Sequence, residues 1–401
     1  MNFSLCEESD ADHWIYAGEG NLNLVVRYTG DNQIYKGKVL RVIKNSKNNQ
    51  GPIQDNIVFK KQFSERVIQP LLGKEYVVQM SPVETSSEFL TRLAKHVEPF
   101  RPAFRTDRQI VTDSPISFLL NDLTQVWPNS PTLTYELKPK WGFKPDSSFI
   151  SRNNIKKSSC RFCMHSYLRE IPANDFCPLD LYSADRSRVQ KAVRVLFTEK
   201  SLSKTLSVSV DGKKLSLSSI DHQNLLGFTN NNTDLMQEVL TNVILKDPIL
   251  QIIKQLQTHL DELDVEGIYS LCHQNKDLLK LVTDDICIWK DVVDLHQKRR
   301  QDNPGFFMDG VCNTEEQKQR VYEYILSMTF KDCSIMINVT PSQATDISDK
   351  TITLADGLSF RYDVKVIDTD LKSIKKIPYW FELDQSIVKH ATETNFEKKC
   401  H

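Results

Sequence analysis

Three groups of residues in this 401-residue chain combine types and spacings that could do chemistry. The first suits a metal. Cys160-Arg-Phe-Cys163-Met-His165, with Cys177 downstream, offers four soft or borderline donors. In a reducing compartment such a set closes a tetrahedron around structural Zn²⁺. The competing reading is packed cysteines beside a hydrogen-bonded histidine. The second group is Asp368-Thr-Asp370-Leu-Lys372, directly after an apolar strand, with Lys375 and Lys376 just beyond. Carboxylates at a strand end suit Mg²⁺, which takes one or two protein oxygens and leaves its other positions to phosphate and water. A basic cluster beside such a site is what phosphoryl transfer onto an already anionic substrate requires. A polar turn with solvated charges is the plainer alternative.

The third group is Glu136-Leu-Lys138-Pro-Lys140. At strand period its three charges share one face, and two ammonium groups about 7 Å apart repel unless an anion lies between them. A solvated outer face would also explain them; the flanking Trp141-Gly-Phe143, which should bury, favours a ligand face. Three single features are weaker. Gly18-Glu19-Gly20 between two short strands would let backbone approach a phosphate with no Cβ in the way, although most such pairs are only turns. In Val39-Leu-Arg41-Val-Ile43, alternation groups Arg41 with Val39 and Ile43 on a face read as inward, where a charge needs a partner or a ligand; on an edge strand it would snorkel to water. Asp332, after Lys331, opens a strongly apolar segment. It could accept a proton from an attacking hydroxyl, or only terminate the strand.

The elements that must hold these groups follow from periodicity. Trp14–Ala17, Asn23–Tyr28, Lys38–Lys44 and Ile116–Leu120 read as strands, and Ser86–Val97 as a helix with Phe89, Leu93 and Val97 on one face. Leu133–Lys140, Cys333–Val339 and Tyr362–Ile367 are further strands. Residues 187–199, 234–275 (interrupted at Pro248) and 315–328 are helical. Ser201–Ser219 is Ser/Lys-rich and reads as a mobile hairpin or loop. A small β-rich lobe followed by a larger α+β lobe is the outline of a kinase-like fold, and outline alone does not give function.

Composition narrows the field. With 40% hydrophobic and 26% charged residues the chain is globular, not disordered. Fifty-one basic against 52 acidic side chains give a net charge of −1, which excludes a binder working through a global positive field on nucleic acid or membrane. No apolar run approaches the ~18 residues of a membrane span, and the acidic start differs from a signal peptide, so intracellular residence is expected. Most of the nine cysteines are then expected as thiols. Cys6, Cys272, Cys287, Cys312, Cys333 and Cys400 have no metal-like spacing and read as buried or exposed thiols.

Taken together, these segments resemble the inositol-pentakisphosphate 2-kinase family over nearly the whole chain. The resemblance lies in Gly18-Glu-Gly-Asn21, Asn23-Leu-Val, Val39-Leu-Arg41, Asn121-Asp122, Glu136-Leu-Lys-Pro-Lys-Trp-Gly-Phe143 and Cys160-Arg-Phe-Cys-Met-His165. It continues in Cys177-Pro-Leu-Asp-Leu-Tyr-Ser183, Leu263-Asp-Val-Glu-Gly267, Lys331-Asp-Cys-Ser-Ile-Met-Ile337 and Asp368-Thr-Asp-Leu-Lys372.

The resemblance implies an α+β, two-lobed fold of the inositol polyphosphate kinase type. Residues 1–125 would form the nucleotide-covering N-lobe, with a hinge near 121–125. Residues 126–401 would form the C-lobe, binding inositol phosphate and metal, with a helical insertion at about 215–310. It implies ATP-dependent phosphorylation of the 2-hydroxyl of inositol 1,3,4,5,6-pentakisphosphate to the hexakisphosphate. A catalytically inactive inositol-phosphate-binding scaffold of the same fold is the alternative.

By the same resemblance Asp332 is the catalytic aspartate and Asp368 the Mg²⁺ ligand. Gly18, Glu19, Gly20 and Asn21 would cover the ATP phosphates, Arg41 would contact the nucleotide, and Asn121 and Asp122 would lie beside adenine and ribose. Arg105, Lys138, Lys140, Arg169, Lys372 and Lys376 would hold substrate phosphates, with Tyr379 or Trp380 as a nearby aromatic. Zn²⁺ would sit at Cys160, Cys163, His165 and Cys177, as in animal members. Five phosphate monoesters carry roughly −7.5 to −10, and six basic groups with Mg²⁺ supply roughly +8 in answer, so the positive charge should be concentrated in one cleft. A monomer without membrane or direct nucleic-acid contact, in cytoplasm and nucleus, is expected from the family.

Overall fold

The computed structural model describes the chain except for residues 1–2, 6–7, 46–52, 128, 172–174, 216–232, 303–312 and 343–347. Cys6 and Cys312 lie outside the described residues. The chain divides into two compact units, Met1–Phe63 with Val78–Thr132, and Ser64–Val77 with Leu133–His401. This corrects the boundary read from sequence in two ways. The division falls at Thr132/Leu133 instead of residue 125, and Ser64–Val77 belongs to the second unit, because its helical turns pack there.

The first unit is a six-stranded sheet. Its strands are β1 (Phe3–Leu5), β2 (Trp14–Glu19), β3 (Asn23–Tyr28), β4 (Lys38–Ile43), β5 (Ser81–Thr85) and β6 (Ile116–Asn121), in the order β1-β5-β6-β4-β3-β2. Only the β1–β5 pair is parallel. Helix Ser87–Val97 starts where Ser86 Oγ accepts from the Phe89 amide, satisfying a donor that the first turn leaves unpaired. Its Phe89, Leu90, Leu93 and Val97 bury with Trp14, Leu24, Val26, Leu40 and Val42 into one core. In β4 it is Leu40 and Val42 that face this core, while Val39, Arg41 and Ile43 are half-exposed. The inward placement of Arg41 is therefore wrong by one residue. Two-residue alternation fixes which side chains share a face but not which face is covered.

The second unit carries β7 (Leu133–Leu137), β8 (Leu206–Val210), β9 (Lys213–Lys214), β10 (Ser334–Ser342), β11 (Thr351–Thr353) and β12 (Ser359–Ile367), antiparallel throughout in the order β11-β12-β10-β7-β8-β9. Ser334 to Thr340 of β10 are all buried, so this strand is covered on both faces and its sequence shows no alternation. β12 alternates, with Phe360, Tyr362, Val364 and Val366 inward.

Of the Ser/Lys-rich segment, residues 216–219 lie outside the described residues, and the rest is less loose than its composition suggests. Leu206 and Val208 bury as β8 extends the sheet beside β7. The helical region resolves into Thr233–Lys246, Ile249–His259 and Asp264–Gln274, the first break at Pro248. Helix Ile286–Asp302 lies within the span expected to be a helical insertion, whereas helix Ile377–Glu393 has no counterpart in the sequence reading. Among the described residues, no helix is long and apolar enough to cross a membrane.

Candidate active site and candidate metal centre

The register of three strands assembles the chemistry of the second unit. Ile335 of β10 stands opposite Leu137 of β7 and Val366 of β12. Lys138 and Ser334, each next to those positions, and Asp368, directly after Ile367 at the end of β12, therefore emerge at one end of the sheet. Lys138 Nζ donates to Ser334 Oγ at 2.8 Å and to Asp368 Oδ2 at 3.2 Å, and Ser334 Oγ donates to the same carboxylate oxygen at 3.1 Å. Asp332 precedes β10 and Lys372 follows β12, and their side chains pair at 2.7 Å. The two carboxylates remain more than half exposed, at 64% for Asp332 and 56% for Asp368, so both can meet a ligand.

Lys140 differs from its expected placement. β7 ends at Leu137, and Lys140 has φ 61°, so the residues 138–140 form a strap instead of a strand. Strand alternation therefore does not assign these three residues to faces. Lys140 is half-buried. Desolvation pulls its ammonium down from the usual lysine value, Asp332 pushes it back up and Lys138 adds to the depression. Among the described residues it has no carboxylate partner. Arg169, at the C-terminal end of helix Arg161–Leu168, and Lys376, at the start of helix Ile377–Glu393, are exposed and likewise form no ion pair among the described residues. Tyr379 is 59% exposed in the first turn after Lys376, whereas Trp380 packs edge-on against Tyr324 at 6.0 Å.

Behind Asp332 lies a buried charged layer that sequence reading missed. Lys331 Nζ donates to Asp261 and sits 4.1 Å from the Trp141 ring centre, with Tyr324 and Phe143 also around it. Trp141 does bury a cation, but that cation comes from the protein. Lys156 Nζ reaches Asp264, Asp384 (2.7 Å) and Glu266 (3.5 Å), so the three carboxylates that could otherwise hold a metal are answered by an ammonium. No local spacing signals either network.

In the first unit, β2 and β3 join through a turn closed by Gly20 N donating to Asn23 O at 2.9 Å. A Cβ at Gly18 or Gly20 would meet no atom within 4 Å, so internal packing does not require these glycines. The Glu19 carboxylate is committed below the turn. It accepts from Lys44 and, at 3.0 Å each, from Arg101 Nε and Nη2. Burial pushes the Glu19 carboxyl up, but the hydrogen bonds from Arg101 and Lys44 outweigh it and hold the group below the usual range. Its side chain therefore serves the fold, leaving only its backbone to face a nucleotide.

Arg101 also donates to the carbonyls of Arg105 and Arg108, and Arg105 Nη1 donates to Asn21 Oδ1 at 2.8 Å. Arg105 and the glycine turn thus belong to one assembly. Asn23, with its carboxamide oriented to accept, takes Arg41 Nη2 at 2.7 Å. The Asp122 carboxylate is buried and saturated by Arg27 and by Thr124 N (2.8 Å) and Oγ1 (2.7 Å). Asn121 ends β6, its Oδ1 accepting from Lys38.

The metal centre has a different fourth ligand from the one expected. Cys160, Cys163, Cys177 and Cys400 are buried with their sulfurs within 4.8 Å of one another, and His165 is not among them. Cys163 and His165 lie two positions apart on one helix, so they point to different sides. The histidine's place is taken by Cys400, whose amide donates to Ser158 O at 2.9 Å. Cys160 and Cys177 Sγ are 3.7 Å apart, not bonded, close to the ~3.8 Å edge of a tetrahedron with 2.3 Å Zn–S bonds. Hydrogen bonds from Cys160, Cys163 and Cys177 pull the Cys400 thiol well down. The donor set thus fits Zn²⁺. Within 270–315, Cys272, His273, Cys287 and His296 form no metal-capable group among the described residues.

A two-lobed α+β chain whose larger lobe gathers two exposed carboxylates and several lysines at one sheet end has the make-up of a small-molecule kinase. The family model for inositol-pentakisphosphate 2-kinase matches residues 16–386, and the chain belongs to that family. The inositol-pentakisphosphate 2-kinases of Oryza sativa subsp. indica and Arabidopsis thaliana are each 28% identical to it, over 96% of this chain and 94% of theirs. That of Danio rerio is 26% identical over the same shares.

Proposed function

We propose that the protein transfers the γ-phosphoryl group of ATP to the 2-hydroxyl of inositol 1,3,4,5,6-pentakisphosphate, giving the hexakisphosphate. One observation carries this reading beyond family membership: Lys140, Arg169 and Lys376 form no direct ion pair among the described residues. Lys140 is half-buried as well, and a partly desolvated ammonium is stable only beside an anion. A substrate with five phosphates supplies that anion in excess.

Each residue then has a role set by its surroundings. Lys138, Lys140 and Lys372 neutralise substrate phosphates, joined by Arg169 and Lys376; Tyr379 is the exposed aromatic next after Lys376. Asp332 accepts the hydrogen of the attacking hydroxyl and orients it; Lys372 aims this carboxylate. Asp368, already held by Lys138 and Ser334, keeps an exposed oxygen for a divalent cation, here Mg²⁺. When bound, that cation neutralises charge on the transferred phosphoryl group.

The backbone of Gly18–Asn21 covers the ATP phosphates, Arg41 contacts the nucleotide, and Asn121 with the Asp122 backbone lines the base. Little covalent work falls to the protein; positioning and electrostatics set the rate. Zn²⁺ at Cys160, Cys163, Cys177 and Cys400 is structural, since four protein ligands leave no open position.

Incubation with ATP, Mg²⁺ and the pentakisphosphate, followed by anion-exchange chromatography, tests the activity. A hexakisphosphate peak is expected. Tight binding of the pentakisphosphate without any product would identify the inactive scaffold instead.

A further inference from the structure

Two backbone segments leave regular structure just where the proposed chemistry lies. One is the strap from Lys138 to Gly142; the other is the turn from Phe330 to Asp332. We propose that Gln257 is a positioning residue that locks these two segments to each other, and so sets Lys140 against Asp332. This inference rests on the functional reading above.

Gln257 projects from helix Ile249–His259 and is completely buried. Its Oε1 accepts from the Gly142 amide at 2.7 Å, and its Nε2 donates to Lys140 O at 2.9 Å and Phe330 O at 3.0 Å. Partners of one N–H and two carbonyls permit one orientation of the carboxamide, and every polar hydrogen it owns is used. A helix residue facing a core is ordinarily apolar. Here the amide answers backbone groups that no strand or helix partner satisfies.

Lys140 explains why the clamp is needed. Its φ of 61° is unfavourable for a residue with a Cβ, and persists only where the surroundings impose it. Gln257 Nε2 and Tyr182 Oη both donate to the Lys140 carbonyl, the latter at 3.1 Å. The Tyr182 ring fills the space beside Gly142, where an added Cβ would come within 2.7 Å of it. On the other side, the Phe330 carbonyl precedes Asp332 by two residues. One carboxamide therefore fixes the base of the substrate lysine and the base of the catalytic aspartate.

Gln257→Glu keeps the shape and the Gly142 contact but turns a carboxylate oxygen on two carbonyls. Gln257→Met keeps the volume and removes all three bonds. Tyr182→Phe removes one donor to Lys140 and retains the ring. Each variant is checked for folding by circular dichroism, then measured by calorimetric titration with inositol pentakisphosphate and by initial rates. Losing two buried hydrogen bonds in Gln257→Glu and three in Gln257→Met predicts a rise of about tenfold or more in substrate Kd and KM for each. Tyr182→Phe should show a smaller shift in the same sense. kcat falls with them, and KM for ATP stays within about twofold.

Protonation restores one donor to Gln257→Glu, so its deficit relative to wild type should shrink between about pH 8 and about pH 6. A purely structural role would lower the melting temperature and leave these ratios unmoved. Folded Gln257 variants with wild-type kcat, KM and Kd overturn the inference. Should both fail to fold, unchanged substrate affinity in Tyr182→Phe overturns it. Wild-type protein that neither binds nor phosphorylates the pentakisphosphate would remove the functional reading itself, a result distinct from variants that match an active wild type.

Discussion

Lys331 and Asp332 are adjacent in sequence, yet their replacement should have opposite consequences. Lys331 is fully buried, paired with an equally buried Asp261 and enclosed by Trp141, Phe143 and Tyr324. Lys331→Met leaves the Asp261 carboxylate without its counter-ion, and its Oδ1 already lacks a hydrogen-bond partner. Breaking a buried pair in this way costs about 3–5 kcal/mol. Burial, only partly offset by Lys331, already pushes the Asp261 carboxyl up to about 7. Proton uptake should therefore hold the cost to the lower part of that range.

Asp332 is 64% exposed, and its pair with Lys372 lies at the surface, where such contacts are worth about 0–1 kcal/mol. Asp332→Ala should thus melt almost as wild type and bind ATP normally. Its turnover should nevertheless fall by about 10²–10⁴, the usual share of a positioned proton acceptor. Urea denaturation measures the first quantity and chromatographic product formation the second. Near-normal turnover in Asp332→Ala would refute its role, and a loss of several kcal/mol on the same substitution would refute the assignment of stability to its neighbour.

Elemental analysis should find about one Zn²⁺ per chain, lost in both Cys160→Ser and Cys400→Ser but retained in His165→Asn; retention in Cys400→Ser would exclude the four-cysteine set. Lys140→Met should raise KM for the pentakisphosphate about tenfold without lowering the melting temperature, because a partly desolvated, unpaired ammonium does not stabilise the unliganded fold. Glu19→Gln should cost about 3 kcal/mol at pH 7 by stranding Lys44 and Arg101. Since the folded Glu19 carboxyl lies below its unfolded value of 4.5, its contribution is present above that pH and lost as pH falls through the folded value. The stability gap between wild type and Glu19→Gln should accordingly narrow in acid, and a gap that widens would contradict the ion network.

Local chemistry determined a good deal without the fold. The alternation in residues 38–43 and the four-residue spacing of Phe89, Leu93 and Val97 reflect contacts between near neighbours, and both elements formed where the pattern put them. The same holds for Cys160 and Cys163, one turn of helix apart, and for the carboxylate at the mouth of each central strand. Features created by long-range approach were not legible. Cys400 reads as an isolated thiol until the chain end returns to Ser158. Arg41 falls on the half-exposed face because the helix covers the other side of β4.

Lys138, Ser334 and Asp368 meet through the antiparallel register of β7, β10 and β12, which side-chain period leaves undetermined. Gln257, Lys156 and Asp261 show nothing locally, since a buried polar group is recognisable only from the partners that compensate its desolvation. Sequence periodicity encodes which residues travel together. Which of them meet is set by burial and pairing energies between distant segments, and these exist only once the sheets and helices have packed.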